Sequence, residues 1–361
     1  MDITLSLTHD CNLGCSYCYA GKKSKKAMTW DIASSALDFA FSFSAKTAQI
    51  GFFGGEPLME WDLLKRSTEK AETLAKEKNI VLQKTITTNG SLLNSEKAQW
   101  LKKKNFFPAI SIDGNRSMHD ITRKYRNKKS SFNACIKGLD EIQKVFENYE
   151  VILVIDPSNI MHLADSVKYL SEEKNVFRIA INPNFYTEWS EKALATWKEE
   201  FIKVGDFILN SYRKEKAVAV NFFENKVITR LKDGFEHCDR CNFGEKEISV
   251  APSGNLYPCE RLIGDDTNNE MCIGNITNGF DKEKRKAILD KRGNVNKECL
   301  TCSIKNRCMN WCCCINYATT GQINMVDGLV CFHEQTAVEV TDNIAEILFK
   351  EKNKIFISRF Y

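Results

Sequence analysis

The chain has 361 residues, enough for two or three domains with a sizeable core. Hydrophobic residues make up 43% and charged residues 27%, an ordinary globular balance, and no apolar run is long enough to span a bilayer. The net charge is +4, with lysine-rich stretches at 22–26, 102–104 and 124–129. Those stretches lack the interleaved aromatics of a base-stacking platform, which argues against nucleic acid.

No signal peptide opens the chain, because Asp2 is acidic and the first apolar run is short. A cytoplasmic location is expected. Cysteine is the outlier, with 15 residues, and in that compartment it points to metal rather than disulfides. Three fall within residues 11–18, Cys135 stands alone, and the rest lie between 238 and 331, which suggests a second metal-binding region.

From residue 2 to about 183, short β-rich runs alternate with amphipathic helical patterns. The strand candidates are 3–8, 49–53, 81–88, 109–112, 151–155 and 178–181. The helix candidates are 30–43, 61–78, 94–104, 132–146 and 162–175. This alternation predicts βαβ units and an α/β fold with a parallel sheet. Six units are too few for a closed eight-stranded barrel, so an open partial (β/α)6 barrel is expected. Its site would lie at the C-terminal ends of the strands.

Residues 11–18 read Cys11-Asn12-Leu13-Gly14-Cys15-Ser16-Tyr17-Cys18, a C-x3-C-x2-C loop directly after the first strand. Three thiolates can hold three corners of a cubane iron–sulfur cluster and leave one iron open to bind a small molecule. Tyr17 would lie against that ligand. A structural zinc loop is the competing reading, but zinc usually takes four ligands in paired hooks.

Other strand ends supply the same mouth. After the second strand comes Gly54-Gly55-Glu56-Pro57, where glycines permit close backbone approach and a carboxylate suits an ammonium group. After the third comes Thr87-Thr88-Asn89-Gly90. After the fourth comes Ser111-Ile112-Asp113-Gly114, then His119-Asp120 and Arg123.

Together these segments resemble the radical S-adenosylmethionine (SAM) enzymes, and within them the subfamily that matures peptides and sulfatases. The resemblance implies a SAM-binding [4Fe-4S] cluster on Cys11, Cys15 and Cys18. It implies SAM contacts from Tyr17, Gly54, Gly55, Glu56, Asn89, Ser111 and one of Arg123 or Arg126. His119 is expected to anchor its loop.

Residues 184–236 read as a helical linker, with helices at 192–211 and 221–232 whose aromatics are packing. The cysteine-rich region follows at 237–335. It opens on Cys238-Asp239-Arg240-Cys241 and a hairpin that runs 247–250, turns at 252–255 and returns at 256–259. Cys299, Cys302, Cys308, Cys312 and Cys331 complete a pattern that resembles the SPASM extension of the family.

That resemblance implies two auxiliary [4Fe-4S] clusters. One falls to Cys299, Cys302, Cys308 and Cys331. The other falls to Cys241, Cys259 and Cys312, with Cys238 the natural fourth ligand. Cys272, Cys313 and Cys314 are spare, and residues 336–361 read as a C-terminal helix.

Glu260 follows Cys259 where sulfatase-maturing relatives carry an aspartate base. It keeps the carboxylate one methylene further out, and Arg261 is expected to pair with it. The first strand begins almost at once, with no leader-gripping module before it. Recognition of a substrate is therefore assigned to the barrel mouth, the auxiliary domain or a separate leader-binding protein.

The expected activity is hydrogen abstraction by a 5′-deoxyadenosyl radical from a ribosomally made peptide, giving an oxidative crosslink. A flavodoxin- or ferredoxin-type protein would supply the electron. Oxidation of a serine or cysteine to formylglycine is the alternative. A non-catalytic iron–sulfur or zinc protein is the alternative of another class, disfavoured because an electron carrier needs no SAM pocket.

Overall fold

The computed structural model describes residues 1–44, 46–293 and 295–361. The chain forms two compact units. The first comprises Met1–Ser111, Tyr125–Tyr149 and Cys241–Lys291, and the second Ile112–Lys124, Glu150–Arg240 and Arg292–Tyr361.

The first unit begins with β1 (Asp2–Ser6), α1 (Trp30–Phe43), β2 (Thr47–Phe53), α2 (Trp61–Glu77), β3 (Val81–Thr88), α3 (Ser95–Lys103) and β4 (Phe106–Ser111). α4 (Arg116–Thr122) belongs to the second unit and α5 (Phe132–Gln143) to the first. The second unit continues with β5 (Glu150–Ile155), α6 (Leu163–Lys168), β6 (Arg178–Pro183), α7 (Glu191–Arg213), β7 (Ala219–Val220) and α8 (Asn221–Leu231). The first unit resumes with β8 (Glu247–Val250), β9 (Asn255–Tyr257), β10 (Gly274–Asn275), β11 (Gly279–Phe280) and α9 (Lys282–Asp290). The second unit closes with α10 (Cys313–Thr320), α11 (Gly328–Lys350) and α12 (Lys354–Phe360).

Local sequence explains the element ends. Thr29 caps α1 through Ile32 N–H, Asn94 caps α3 through Lys97 N–H, and Ser190 caps α7 through Ala193 N–H. α1 buries Ala33, Ala36, Leu37, Ala40 and Phe41, an i, i+3, i+4 stripe facing the sheet. Ile3 and Leu5 of β1 and Ile50 and Phe52 of β2 are at most 2% exposed, so the core of the first unit lies under its sheet.

In the first unit β1, β2, β3 and β4 run parallel in sequence order. β8 pairs parallel with β1 on its other side, Ile3 opposite Ile248 and Leu5 opposite Val250. β9 to β11 then follow as antiparallel strands. The hairpin of the cysteine-rich region therefore continues the sheet of the first unit. In the second unit β5, β6 and β7 are parallel.

The expected strands and long helices occur within a few residues of their predicted places. The predicted helix 162–175 is shorter: α6 ends at Lys168 and a wide turn, Tyr169–Glu173, follows. The terminal segment is two helices, and α11 starts at Gly328, so Cys331 lies on it. α4, α9 and α10 were not anticipated.

Candidate active site

The loop after β1 is held by its own backbone and by the two following strand ends. Gly55 N–H donates to Thr8 O at 2.7 Å and Glu56 N–H to Asp10 O at 2.9 Å. A Cβ on Gly55 would stand 1.9 Å from Asp10 O, so only glycine lets the second loop lie against the cysteine loop. In the structure, the close approach that Gly54 and Gly55 permit is to backbone at Thr8–Asp10. The Asp10 carboxylate accepts from Cys11 N–H at 3.0 Å and pairs with Arg126.

Glu56 is fully buried, and its carboxylate accepts from Leu58 N–H at 3.0 Å, the Thr88 hydroxyl at 2.6 Å and Asn89 N–H at 2.8 Å. It ties the end of β2 to the end of β3. Asn89 carries the tie onward: its amide donates to Asn12 Oδ1 at 2.9 Å and to Cys11 Sγ at 3.7 Å.

The thiols of Cys11 and Cys18 are placed as acceptors, which suits ligating thiolates. Cys11 Sγ also accepts from Leu13 N–H at 3.4 Å, and Lys23 Nζ donates to Cys18 Sγ at 3.0 Å. Burial first, and then the Glu56 carboxylate, push the Cys11 thiol up to about 11, so metal binding there must release a proton. Cys15, Tyr17 and Cys18 are part-buried. This donor set fits a three-cysteine cluster loop.

Ser111 ends β4 in the first unit. Arg123 caps α4 in the second unit, 6% exposed, with its N–H on His119 O at 2.8 Å. Asp113 pins that segment: it accepts from the Thr122 hydroxyl at 2.9 Å and from Val154 N–H at 3.1 Å. Of the two candidate arginines, Arg126 lies at the cysteine loop, beside Gly14.

The cysteine-rich region yields two groupings. In the second unit Cys299, Cys302, Cys308 and Cys331 line one small cavity with Glu334. Burial, and then Glu334, push the Cys308 thiol well above its usual range. Burial also raises Cys331, with the thiols of Cys299 and Cys302 adding to it. Four cysteines on one cavity wall are the right number and type of residue to ligate a cubane cluster.

In the first unit Cys241 Sγ donates to Glu247 at 3.3 Å and Cys259 Sγ to Glu260 at 3.6 Å. Burial, and then Glu260, raise the Glu247 carboxyl. Cys238 and Cys312 belong to the second unit. Cys238 Sγ donates to Glu236 at 3.5 Å, and Cys312 Sγ lies 3.6 Å from Cys314 Sγ. Cys312 caps α10, while Cys313 and Cys314 are buried.

Residues 5–170 match the Radical SAM superfamily, spanning the cysteine loop and the strand ends just described. The chain carries a radical SAM domain. The fold that carries this domain is α/β. Over 336 residues it is 22% identical to a cysteine-type anaerobic sulfatase-maturating enzyme of Clostridium novyi (strain NT), covering 84% of this chain and 85% of that one. The solved structure of native anSMEcpe with bound AdoMet superposes with a TM-score of 0.77 at 18% identity, covering 99% of both chains. Streptococcus suis SuiB bound to precursor peptide SuiA superposes with a TM-score of 0.61 at 17% identity, covering 91% of this chain and 75% of that one. The radical SAM fold, with its parallel sheet and cysteine-rich C-terminal region, stands as read from the sequence. No helix among the described residues is long and apolar enough to cross a membrane.

Sequence reasoning missed several neighbours of these sites. Lys23 sits in a stretch read as solvated lysines, and its proximity to Cys18 is the one available signal. Asp10 and Tyr19 flank the motif without belonging to it. Glu247, Lys226 and Glu334 carry no motif at all, and only the fold brings them to the cysteines.

Proposed function

We propose that this radical-SAM enzyme matures a ribosomally made peptide by hydrogen abstraction and oxidative crosslinking. The observation that carries the reading is the cysteine loop, whose three thiols share one loop with N–H donors already aimed at Cys11 and Cys18. When bound, SAM and the clusters supply one-electron chemistry: a hydrogen-abstracting 5′-deoxyadenosyl radical and an acceptor for the electron released on oxidation.

In this reading Cys11, Cys15 and Cys18 hold the SAM-binding cluster, and Tyr17, Gly54, Gly55, Glu56, Asn89, Ser111 and Arg123 shape the SAM pocket. Because Glu56 already accepts three protein donors, it acts by fixing the strand ends. Backbone carbonyls of the Gly54–Gly55 turn are then left to meet an ammonium group. Residues 1–183 do this chemistry, the helices of 184–236 and 336–361 support it, and 237–335 hold two auxiliary clusters. Cys299, Cys302, Cys308 and Cys331 serve one, and Cys238, Cys241, Cys259 and Cys312 the other. A peptide substrate is supported by relatives named as sulfatase-maturating enzymes and by SuiB, solved with its precursor peptide. A flavodoxin- or ferredoxin-type reductant and a leader-binding protein are its natural partners, in the cytoplasm.

Formylglycine formation is the second reading. It asks Glu260 to act as a base on the substrate hydroxyl or thiol. Glu260 instead stands 3.6 Å from the Cys259 thiol, beside Glu247, which suits bracing of a ligand pair.

The test is mass spectrometry of a candidate peptide co-expressed with the enzyme, followed by hydrazide labelling. A crosslink removes two hydrogens and leaves nothing for hydrazide to capture. A hydrazide-reactive aldehyde at a serine or cysteine would transfer the assignment to the second reading. Glu260→Gln is expected to keep SAM cleavage and lower product formation by less than ~100-fold.

A further inference from the structure

Lys226 on α8 and Glu334 on α11 form an ion pair at 2.6 Å, with only 3% and 1% of their side chains exposed. Removing two charges from water is costly unless each is otherwise satisfied. Both are. Lys226 Nζ also donates to Arg307 O at 2.7 Å, and Glu334 also accepts from Met309 N–H at 2.8 Å. These partners are the residues on either side of Cys308. Arg307 is fixed in turn by two bonds to Asp342 at 2.7 and 2.8 Å and one to Lys226 O at 2.9 Å. Glu334 also lines the cavity of Cys299, Cys302, Cys308 and Cys331.

A buried charge pair thus grips the backbone before and after one thiol and places a carboxylate in the wall that all four thiols share. We propose that Lys226 and Glu334 are positioning residues for the auxiliary cluster of Cys299, Cys302, Cys308 and Cys331, orienting Cys308 and balancing charge at the cavity wall. The inference rests on the four-cysteine reading above. A cluster held by four thiolates is anionic, and its reduction potential follows nearby charge and hydrogen bonding. Removing Glu334 leaves an uncompensated cation beside it, and removing Lys226 leaves an uncompensated anion. The two losses must move the potential in opposite directions, which a merely structural role does not do.

The experiment uses the full chain with Cys11, Cys15 and Cys18 replaced by alanine, anaerobically reconstituted. It reads iron content and the midpoint potentials of the remaining clusters by EPR-monitored titration. Glu334→Gln is expected to raise the midpoint of one cluster and Lys226→Met to lower it, with the other cluster unmoved. Lys226→Met/Glu334→Leu should fall between. If a single variant sheds about one cluster's iron, regain of that iron in the double variant supports the clamp. Failure of the double variant to regain it overturns the proposal, as do same-direction shifts or unchanged potentials at full iron. Absence of iron from the triple-alanine chain with Lys226 and Glu334 intact would instead defeat the four-cysteine reading.

Discussion

The guanidinium of Arg261 lies over the ring of Tyr19, 5.1 Å from its centroid. Tyr19 follows Cys18 directly, and Arg261 follows Cys259 and Glu260. The contact therefore joins the SAM-type cysteine loop to the cysteine-bearing hairpin within one unit. Tyr19 also stacks on Phe53, with ring centroids 6.3 Å apart, and a Cβ on Gly21 would meet Asp265 N at 2.5 Å. The sequence reading paired Arg261 with Glu260; the structure adds the Tyr19 ring to the neighbours of its guanidinium.

Arg261→Ala should destabilise the reconstituted protein by about 0.5–2 kcal/mol, the range of a cation–π contact. Arg261→Lys should recover part of this, and Tyr19→Phe, which keeps the ring face, should resemble wild type. Thermal unfolding reads all three. Equal damage from Tyr19→Phe would assign the effect to the hydroxyl.

Gly55→Ala places a carbon against the Asp10 carbonyl, where the backbone cannot yield cheaply. The expected result is loss of about one cluster's worth of iron, about four atoms, together with SAM cleavage. Retention of full iron and full SAM cleavage would show that the second loop does not brace the first.

Much of this was legible in the sequence. β3 runs over Val81–Thr88 as read, because a segment rich in β-branched residues is bounded by clear turn and helix signals. The cysteine loop was legible because its spacing carries its chemistry. The parallel pairing of β8 with β1 was not, since nothing local in Glu247–Val250 names a partner more than 240 residues away. The hydrogen bonds that Glu56 accepts were equally hidden. A carboxylate after two glycines reads as ligand-facing, and its engagement by Thr88 and Asn89 exists only once β2 and β3 are side by side.

That engagement gives a prediction. Glu56→Gln should lower stability in the absence of SAM by about 1–3 kcal/mol, the cost of disturbing buried hydrogen bonds to a charged group. Denaturant unfolding of the SAM-free protein reads it. Unchanged stability with weakened SAM affinity would make Glu56 a direct ligand of SAM.

His119 is fully buried, and burial, helped by Arg123 and Arg116, lowers its pKa to about 2. It is neutral in the folded protein and titrates near 6.5 when unfolded. The unfolded chain therefore gains a proton that the folded chain refuses, and stability falls as pH drops below 6.5. By pH 5.5 the loss from this group is about 1.4 kcal/mol. His119→Gln should flatten the fall in unfolding temperature between pH 7.5 and 5.5. An identical fall in wild type and variant would contradict this.

The central claim is that Cys11, Cys15 and Cys18 hold the cluster at which SAM is cleaved. Quantifying 5′-deoxyadenosine after anaerobic reduction of the reconstituted chain, beside Cys15→Ala, tests it most directly. Wild type should give 5′-deoxyadenosine and methionine in equal amounts, and Cys15→Ala none although that variant keeps its auxiliary-cluster iron. Wild type that carries iron yet yields no 5′-deoxyadenosine, or Cys15→Ala that yields as much as wild type, would contradict it.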